Sequence, residues 1–282
     1  MSPPKAALAS DRQRGVALIT ALLVVALATM AAVSLTASHQ LDLRRAQTTQ
    51  DAGQAQLHAA SAEALAQEFL GELQAAPEQA AAMLDEECRS PPLELERGQA
   101  RIQAWVEDLH CRLNINNLAD EGDERTESAF IRLVERANQQ DPEVSLSPEQ
   151  LVEAIRNWVD PEVTPEWYSR QDPPYRPANQ PLASVSELRL IRGVSPAAYR
   201  ALEPYVTALP ETGTPINAHL APEAIREAYN LPDPGSLDEE AERLGDYARL
   251  QVRVTINERH YHQCSVIYTG SGEVVLRRLR PC

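Results

Sequence analysis

The sequence predicts an α+β fold in which a long N-terminal helix precedes an antiparallel β head that a large all-α insertion domain interrupts. An apolar run without ionisable side chains covers residues 16–38, and a proline-free segment rich in Ala, Gln and Glu continues it to about residue 76. Apolar and polar side chains alternate on both sides of Gly98 and again over residues 247–280, as in strands with one buried face. The pattern between these two regions is helical. Strands before and after a helical stretch favour one interrupted head over three domains in series.

The apolar run at residues 16–38 is long enough to cross a membrane, since an α-helix of this length rises roughly 34 Å. It directly follows a polar leader that contains Arg12 and Arg14. Three interpretations are open: an ordinary anchor with its basic leader in the cytoplasm, a secretory signal cleaved near residues 29–32, or a type IV pilin-like leader cut after Gly15. The third is favoured because a cleaved export signal has no need of a helix that continues far beyond the membrane.

The insertion is predicted to be helical and divided by prolines. Amphipathic spacing predicts helices over residues 126–138 and 147–159, the second with a serine N-cap and a proline in its first turn. A proline-rich loop over residues 160–181 follows, and then a helix, a glycine-containing turn and another helix over residues 184–209. Immediately before the insertion, residues 111–118 continue the alternation that is typical of a strand.

Residues 15–27, Gly-Val-Ala-Leu-Ile-Thr-Ala-Leu-Leu-Val-Val-Ala-Leu, resemble the N terminus of the type II secretion minor pseudopilins called general secretion pathway protein K. Most pilins carry Phe at the first mature position and Glu at the fifth, whereas this chain has Val16 and Thr20. The K class lacks this Glu, which suits a subunit at the tip of the fibre because an unpaired carboxylate in lipid is costly. The resemblance implies cleavage by prepilin peptidase between Gly15 and Val16 and N-methylation of Val16.

The resemblance to the K class continues through the insertion. Residues 173–179, Pro-Pro-Tyr-Arg-Pro-Ala-Asn, and residues 204–210, Pro-Tyr-Val-Thr-Ala-Leu-Pro, are similar to the insertion of that class, and residues 111–118 resemble the strand end that precedes it. A type IV pilus minor subunit would share the N terminus but lack this signature. The resemblance implies a prepilin leader at 1–15, an N-terminal helix at 16–76 with its transmembrane part at 16–38, a first head segment at 77–118, a helical insertion at 119–245 and C-terminal head strands at 246–282.

The resemblance implies a minor pseudopilin of the type II secretion system that is processed by prepilin peptidase and forms the tip of the periplasmic pseudopilus, in support of protein export. The chain would cross the bacterial inner membrane once and place its C-terminal, pilin-like head in the periplasm. The implied partners are the minor pseudopilins of the I and J classes, the major pseudopilin, prepilin peptidase and an exported substrate.

Residues 188–199 also resemble the helix-hairpin-helix units of DNA-binding proteins, in which backbone N–H groups at a helix start hold a phosphate. A second such unit is suggested by residues 216–218 and the helix after Pro222. The net charge of −15 opposes this function, because nucleic-acid affinity depends on neutralising phosphates. We therefore expect the hairpins to be packing modules and no nucleic-acid binding, with a membrane-tethered DNA-binding protein as the alternative.

The sequence contains no catalytic constellation. Of the six histidines, His260 and His262 are the closest pair, and their spacing places both on one face of a predicted strand, where we interpret them as a solvated edge. No glycine-rich phosphate loop or nucleophile elbow occurs in the sequence. The sequence therefore predicts a protein without enzymatic activity.

The resemblance also implies a calcium site. The K class binds calcium in the insertion near an Asp-x-Asp motif that is followed by a Gly-Ala-Glu-Asp stretch. This chain has Asp160 and Glu162 at the first motif, and a shorter loop with Glu166 and Asp172 replaces the second. Calcium prefers six to eight oxygen ligands, roughly the number that four carboxylates and nearby carbonyls supply. We expect these four residues to be candidate Ca²⁺ ligands, with loss of the site as the alternative.

The four cysteines, Cys88, Cys111, Cys264 and Cys282, all lie after the apolar run. An even number of cysteines beyond a membrane segment indicates disulfides, although several pairings are open and free buried thiols are the alternative. We favour Cys88–Cys111 because strands that fold back at Gly98 bring these two together, which leaves Cys264 and Cys282 as the second pair.

Overall fold

The computed structural model describes residues 11–75, 83–85, 87–232 and 244–282, and it describes side chains from residue 18 onward except that of residue 37. The chain divides into two compact units, Met1–Gln56 and Leu57–Cys282. The first ten residues of the predicted leader and the predicted boundary between helix and head at residues 76–77 lie outside the described residues.

Helix α1, Asp11–Ala75, begins in the first unit and ends in the second. It is the long N-terminal helix that the proline-free sequence predicts. Within the second unit, its buried apolar side chains follow one another at intervals of three or four residues, which places them on one face of the helix. They are Ala59, Ala62, Ala66, Leu70 and Leu73.

In the described residues, the head contains a five-stranded antiparallel sheet of order β1-β2-β5-β6-β7. The strands in the described part of the chain are β1 (Leu93–Arg97), β2 (Ala100–Asp108), β3 (Leu113–Asn114), β4 (Val206–Thr207), β5 (Tyr247–Ile256), β6 (Arg259–Tyr268) and β7 (Glu273–Arg278). Strand β2, before the insertion, pairs along its whole length with β5, after it. This pairing confirms the predicted α+β head with an insertion.

Tight turns join β1 to β2, β5 to β6 and β6 to β7. Gly98, with a φ of +62°, follows β1, where the sequence predicts that the strands fold back, and Gly272, with a φ of +73°, precedes β7. Between β5 and β6, Asn257 and Glu258 have φ values of +49° and +64°. Two successive positive φ values are typical of the two-residue hairpin turn whose twist matches that of the strands.

The insertion contains the helices α2 (Glu124–Gln140), α3 (Pro148–Val159), α4 (Glu166–Ser169), α5 (Pro196–Leu202) and α6 (Glu223–Tyr229). Helices α2 and α3 confirm the two amphipathic helices that the sequence predicts there. The side chain of Asp123 caps α2 by accepting a hydrogen bond from the backbone N–H of Thr126 at 3.0 Å. Large apolar side chains of several helices share one buried core, which includes Phe130, Leu133, Ile155, Trp158, Leu188 and Leu202.

The sequence predicts an all-α insertion, but the structure also contains 3₁₀ helices and a short strand there. Residues 184–209 contain a 3₁₀ helix at Val185–Leu190, helix α5 and a 3₁₀ turn at Glu203–Tyr205, and they end in strand β4. Pro204 explains why the second predicted helix ends early, because proline has no N–H and clashes with the preceding helical turn. Strand β4 then pairs in parallel with β3.

The predicted strand at residues 111–118 is confirmed only at its two residues Leu113 and Asn114. The segment consists of 3₁₀ turns at Leu109–Cys111 and Ile115–Ala119 on either side of the two-residue strand β3. Residues 113–118 are all buried, the asparagines included, so neither side of the segment faces solvent. The alternation fails because these polar side chains find buried hydrogen-bond partners in the insertion.

Candidate functional site

The first part of α1 exposes a continuous apolar surface. Among the described residues, one helix is long and apolar enough to cross a membrane, and it is this one. Side chains such as Leu23 and Val24 are 59% and 64% exposed. Apolar surface of this extent is unfavourable in water, and the segment therefore requires lipid or other apolar helices around it.

The predicted cleavage junction lies in the same helix. The backbones of Gly15 and Val16 belong to α1, and their side chains are outside the described residues. Thr20, at the predicted fifth mature position, is exposed. Cleavage after Gly15 and methylation of Val16 stay predictions.

The second part of α1 is fastened to the head by a buried carboxylate. Glu63 is 4% exposed, and its Oε2 accepts hydrogen bonds from Ser265 Oγ at 2.5 Å and Gln263 Nε2 at 2.8 Å. Arg277 on β7 binds the same carboxylate, with Nε at 3.0 Å from Oε2 and Nη2 against Oε1. One turn later, Gln67 Nε2 donates to the backbone oxygen of Gly272 at 2.5 Å. Glu63 therefore joins the helix to two strands of the sheet.

We expect Glu63→Gln to lower the free energy of unfolding at pH 7 by about 2 kcal/mol, because charge-assisted hydrogen bonds are lost. Burial raises the pKa of the Glu63 carboxyl, but the hydrogen bonds from Arg277, Ser265 and Gln263 and the charge of Arg277 together lower it. Since the folded pKa lies below the unfolded one, this stabilisation is complete above about pH 4.5 and is lost as pH falls through the folded value.

Urea unfolding of the detergent-solubilised wild type and the Glu63→Gln variant at pH 7 and pH 3.5 measures this. The difference between the two proteins should shrink at the lower pH. A difference that is equal at both pH values would contradict the role of the ionised carboxylate. The exposed residue Glu68 provides a matched control on the same helix, because Glu68→Gln should have little effect at either pH.

Three buried asparagines hold the junction between the head and the insertion. Asn116 Nδ2 donates to the backbone oxygens of Leu182 at 2.9 Å and Leu209 at 2.7 Å, and its Oδ1 accepts from the backbone N–H of Leu182 at 2.8 Å. Asn114 accepts from the backbone N–H of Leu209 at 3.0 Å, and Asn117 donates to the backbone oxygen of Thr214 at 2.9 Å. These amides complete the hydrogen bonds of two distant insertion segments, which no local sequence signal indicates.

A buried ion-pair cluster lies at the same junction. Glu107 on β2 is fully buried, and its Oε2 accepts hydrogen bonds from Arg249 Nη2 at 2.6 Å and Nε at 3.1 Å. Its Oε1 contacts Arg112 Nη2. Arg112 in turn donates from Nη1 to the backbone oxygen of Glu203, in the insertion, at 3.3 Å. The cluster therefore links β2, β5 and the insertion.

Both disulfides have the pairing that we favoured from the sequence. Cys88 and Cys111 are joined with their Cα atoms 6.3 Å apart, and Cys264 and Cys282 with theirs 5.3 Å apart. The first connects the chain before β1 to the turn after β2. The second ties the segment after β7 to β6.

The four predicted calcium ligands are not assembled into a site. Asp160 Oδ1 accepts a hydrogen bond from the backbone N–H of Glu162 at 2.7 Å, and Glu166 is paired with Arg170 one helical turn later. Across the described residues, which include Asp172, no group of three or more His, Cys, Asp or Glu side chains is placed to hold a metal ion. The arrangement does not fit calcium, and calcium binding by this chain stays an untested prediction.

The segment that resembles a DNA-binding hairpin has short helical elements. A six-residue 3₁₀ helix, Val185–Leu190, and the seven-residue helix α5 flank Gly193, which has a φ of +92°. The guanidinium of Arg189 lies 5.7 Å from the ring centre of Tyr199, a cation–π distance. Leu188, Ala198 and Leu202 are buried in the insertion core. This geometry supports the packing role, while nucleic-acid binding is not tested by it.

A long apolar N-terminal helix, an antiparallel head fastened to its second part and a helical insertion define a pilin-like membrane protein. The family described as "Type II secretion system (T2SS), protein K" matches residues 111–211. The type II secretion system proteins K of Klebsiella pneumoniae and Pseudomonas aeruginosa are both 32% identical to this chain, over 74% and 80% of it and over 67% and 71% of their own lengths. The chain therefore belongs to the type II secretion system protein K family, the minor pseudopilins that its sequence resembles.

A solved structure has the same fold. The match is to a chain in the crystal structure of the GspK-GspI-GspJ complex from the type 2 secretion system of enterotoxigenic Escherichia coli. The TM-score is 0.68 at 22% sequence identity, and the match covers 84% of this chain and all of the other.

Proposed function

We propose that this chain is a minor pseudopilin that prepilin peptidase cuts after Gly15 and that forms the tip of the periplasmic pseudopilus, where it supports protein export without catalysing a reaction. The observation that carries the proposal is helix α1, which combines an exposed apolar segment with a second part that Glu63 fastens to the head. A subunit that is held in a membrane or fibre through its helix and displays a folded head needs this combination.

The proposed partners are minor pseudopilins of the I and J classes and the major pseudopilin. The Escherichia coli structure with the same fold is described as a complex of GspK with GspI and GspJ, which supports the first two. The exposed apolar side chains of α1 offer neighbouring subunits a surface that is costly to leave in water. The proposed location is the inner membrane, with the head in the periplasm, where an exported substrate would meet the tip.

The N-terminus of the membrane-extracted protein tests the proposal, by mass spectrometry of protein from cells with and without prepilin peptidase. We expect a chain that starts at Val16, is N-methylated, and appears only when the peptidase is present. Gly15→Val should block cleavage, whereas Ala21→Val, deeper in the helix, should be processed normally. An intact Met1 in peptidase-containing cells would indicate an ordinary anchor, and a start beyond Ala32 would indicate a cleaved export signal; either contradicts the proposal.

A further inference from the structure

A cavity of about 560 Å³ lies between the head sheet and the insertion. Its sheet wall includes residues of β5, β6 and β7, among them Gln251, and its insertion wall includes residues 183–186 and 203–208. Because residues that pair directly across an antiparallel sheet share a face, this wall is opposite the face on which Glu63 binds Ser265. A volume of this size is within the usual range of roughly 300–1,000 Å³ for small-molecule pockets.

Four arginines line this cavity, namely Arg89, Arg112, Arg249 and Arg278, and all four are half-buried. The chain as a whole has 41 acidic and 26 basic residues, so a local excess of arginine is contrary to its composition. Burial lowers the pKa of Arg112, Glu107 raises it, and the nearby charges of Arg249 and Arg89 lower it further. Three guanidinium groups therefore lie close enough together to repel one another.

The carboxylates around the cavity do not pair with all the N–H donors of these arginines. Glu107 is shared between Arg112 and Arg249, and Glu87 lies 3.5 Å from Arg89 Nη2 but is 72% exposed, so solvent screens it. The carboxylate of Glu203 accepts a hydrogen bond from the Tyr199 hydroxyl at 3.0 Å.

The remaining guanidinium contacts are to uncharged groups. Arg278 donates to Ser184 Oγ at 2.7 Å and to the backbone oxygen of Ala183 at 2.9 Å. Burial and the charge of Arg280 lower its pKa, and Glu187 opposes them. The Nε of Arg89 is buried without a hydrogen-bond partner in the described part of the chain. A guanidinium carries five N–H donors, so each of the four arginines retains donors for a ligand.

We propose that the cavity between sheet and insertion binds a ligand bearing a carboxylate or phosphate group, which the N–H donors of Arg89, Arg112, Arg249 and Arg278 hold. The planar fork of arginine matches both groups with paired hydrogen bonds. The ligand accepts hydrogen bonds from N–H donors that the surrounding carboxylates leave unpaired. The two sources of this chemistry are a small free oxyanion and an acidic side chain of another polypeptide.

Calorimetric titration of the detergent-solubilised full chain tests the site. The probes are inorganic phosphate, citrate and a tetraglutamate peptide, and sodium chloride at the same ionic strength is the control titrant. We expect saturable binding of at least one probe. Arg278→Gln and Arg89→Gln should each weaken it about tenfold, the effect of losing one charge-assisted contact. Binding of phosphate or citrate identifies a small oxyanion, and binding of tetraglutamate alone identifies an acidic polypeptide.

Two further variants make the outcome independent of folding defects. Gln251→Glu keeps all four arginines and adds an internal carboxylate, so it should abolish binding while the unfolding temperature is unchanged or higher. Arg101→Gln is the matched control, since Arg101 is 63% exposed and lies on β2 roughly 20 Å from Glu107 along the strand. Absence of saturable binding to every probe, or equal weakening by Arg101→Gln, would overturn the proposal.

Discussion

Replacing Glu107 with glutamine is expected to lower the free energy of unfolding by about 3–5 kcal/mol, the range for breaking a buried ion pair. Glu107 is fully buried, and both of its oxygens contact arginines, Arg249 and Arg112. Glutamine has nearly the same shape but no charge, so the two guanidinium groups would lose their shared counterion. Chemical denaturation of the purified variant, monitored by circular dichroism, measures the loss.

The pair of Arg101 with Glu96 provides the control for this experiment. It joins β1 and β2 at 3.3 Å, but the two side chains are 63% and 76% exposed. Glu96→Gln should therefore change the free energy of unfolding by less than about 1 kcal/mol. Similar losses in the two variants would show that Glu107 is not the counterion that holds β2, β5 and the insertion together.

Replacing Asn116 with alanine is expected to cost about 3–5 kcal/mol and to loosen the insertion from the head. The change removes the three hydrogen bonds to Leu182 and Leu209 and leaves their buried backbone groups unpaired, each at about 1–3 kcal/mol. Proteolysis at low protease concentration should cut the variant first within the insertion, because the segments around residues 182 and 209 lose their attachment. Chemical denaturation gives the magnitude.

Two other variants separate this effect from a general loss of amide groups. Asn157→Ala should change stability by less than about 0.5 kcal/mol, because alanine suits the interior of α3 and Asn157 is partly exposed. Asn116→Asp should be as harmful as Asn116→Ala, since a carboxylate would replace the amide donor opposite two backbone oxygens. A stable Asn116→Asp variant would contradict the assigned hydrogen bonds.

The hairpins illustrate what local pattern predicts well. Alternation of apolar and polar residues correctly placed β1, β2 and β5 to β7. It reflects one buried face in β2 and β5, whereas every residue of the edge strand β1 is exposed. The same rule failed at Asn114, Asn116 and Asn117, because it treats every amide as a surface residue. Whether an asparagine can be buried depends on partners far along the chain, here Leu182, Leu209 and Thr214.

The predicted calcium ligands show that closeness in sequence does not by itself place carboxylates around a common point. The resemblance to the K class implies Asp160, Glu162, Glu166 and Asp172 as ligands, and the four are close together in sequence. In the structure, Asp160 closes a local turn and Glu166 pairs with Arg170, so these oxygens serve neighbouring residues. Carboxylates in one loop become a metal site only if the loop brings their oxygens to a common point.

By itself, the sequence determined the membrane-length helix, the interrupted α+β head and the family. These features depend on hydrophobic periodicity and on continuous motifs, which are local properties of the chain. Only the tertiary structure decided that Glu63 fastens the helix to the head, that Glu107 is fully buried among arginines and that four arginines meet in one cavity. Glu63 and Arg277 are 214 residues apart in the chain, and the energy of a buried charge depends on such distant partners rather than on its neighbours in sequence.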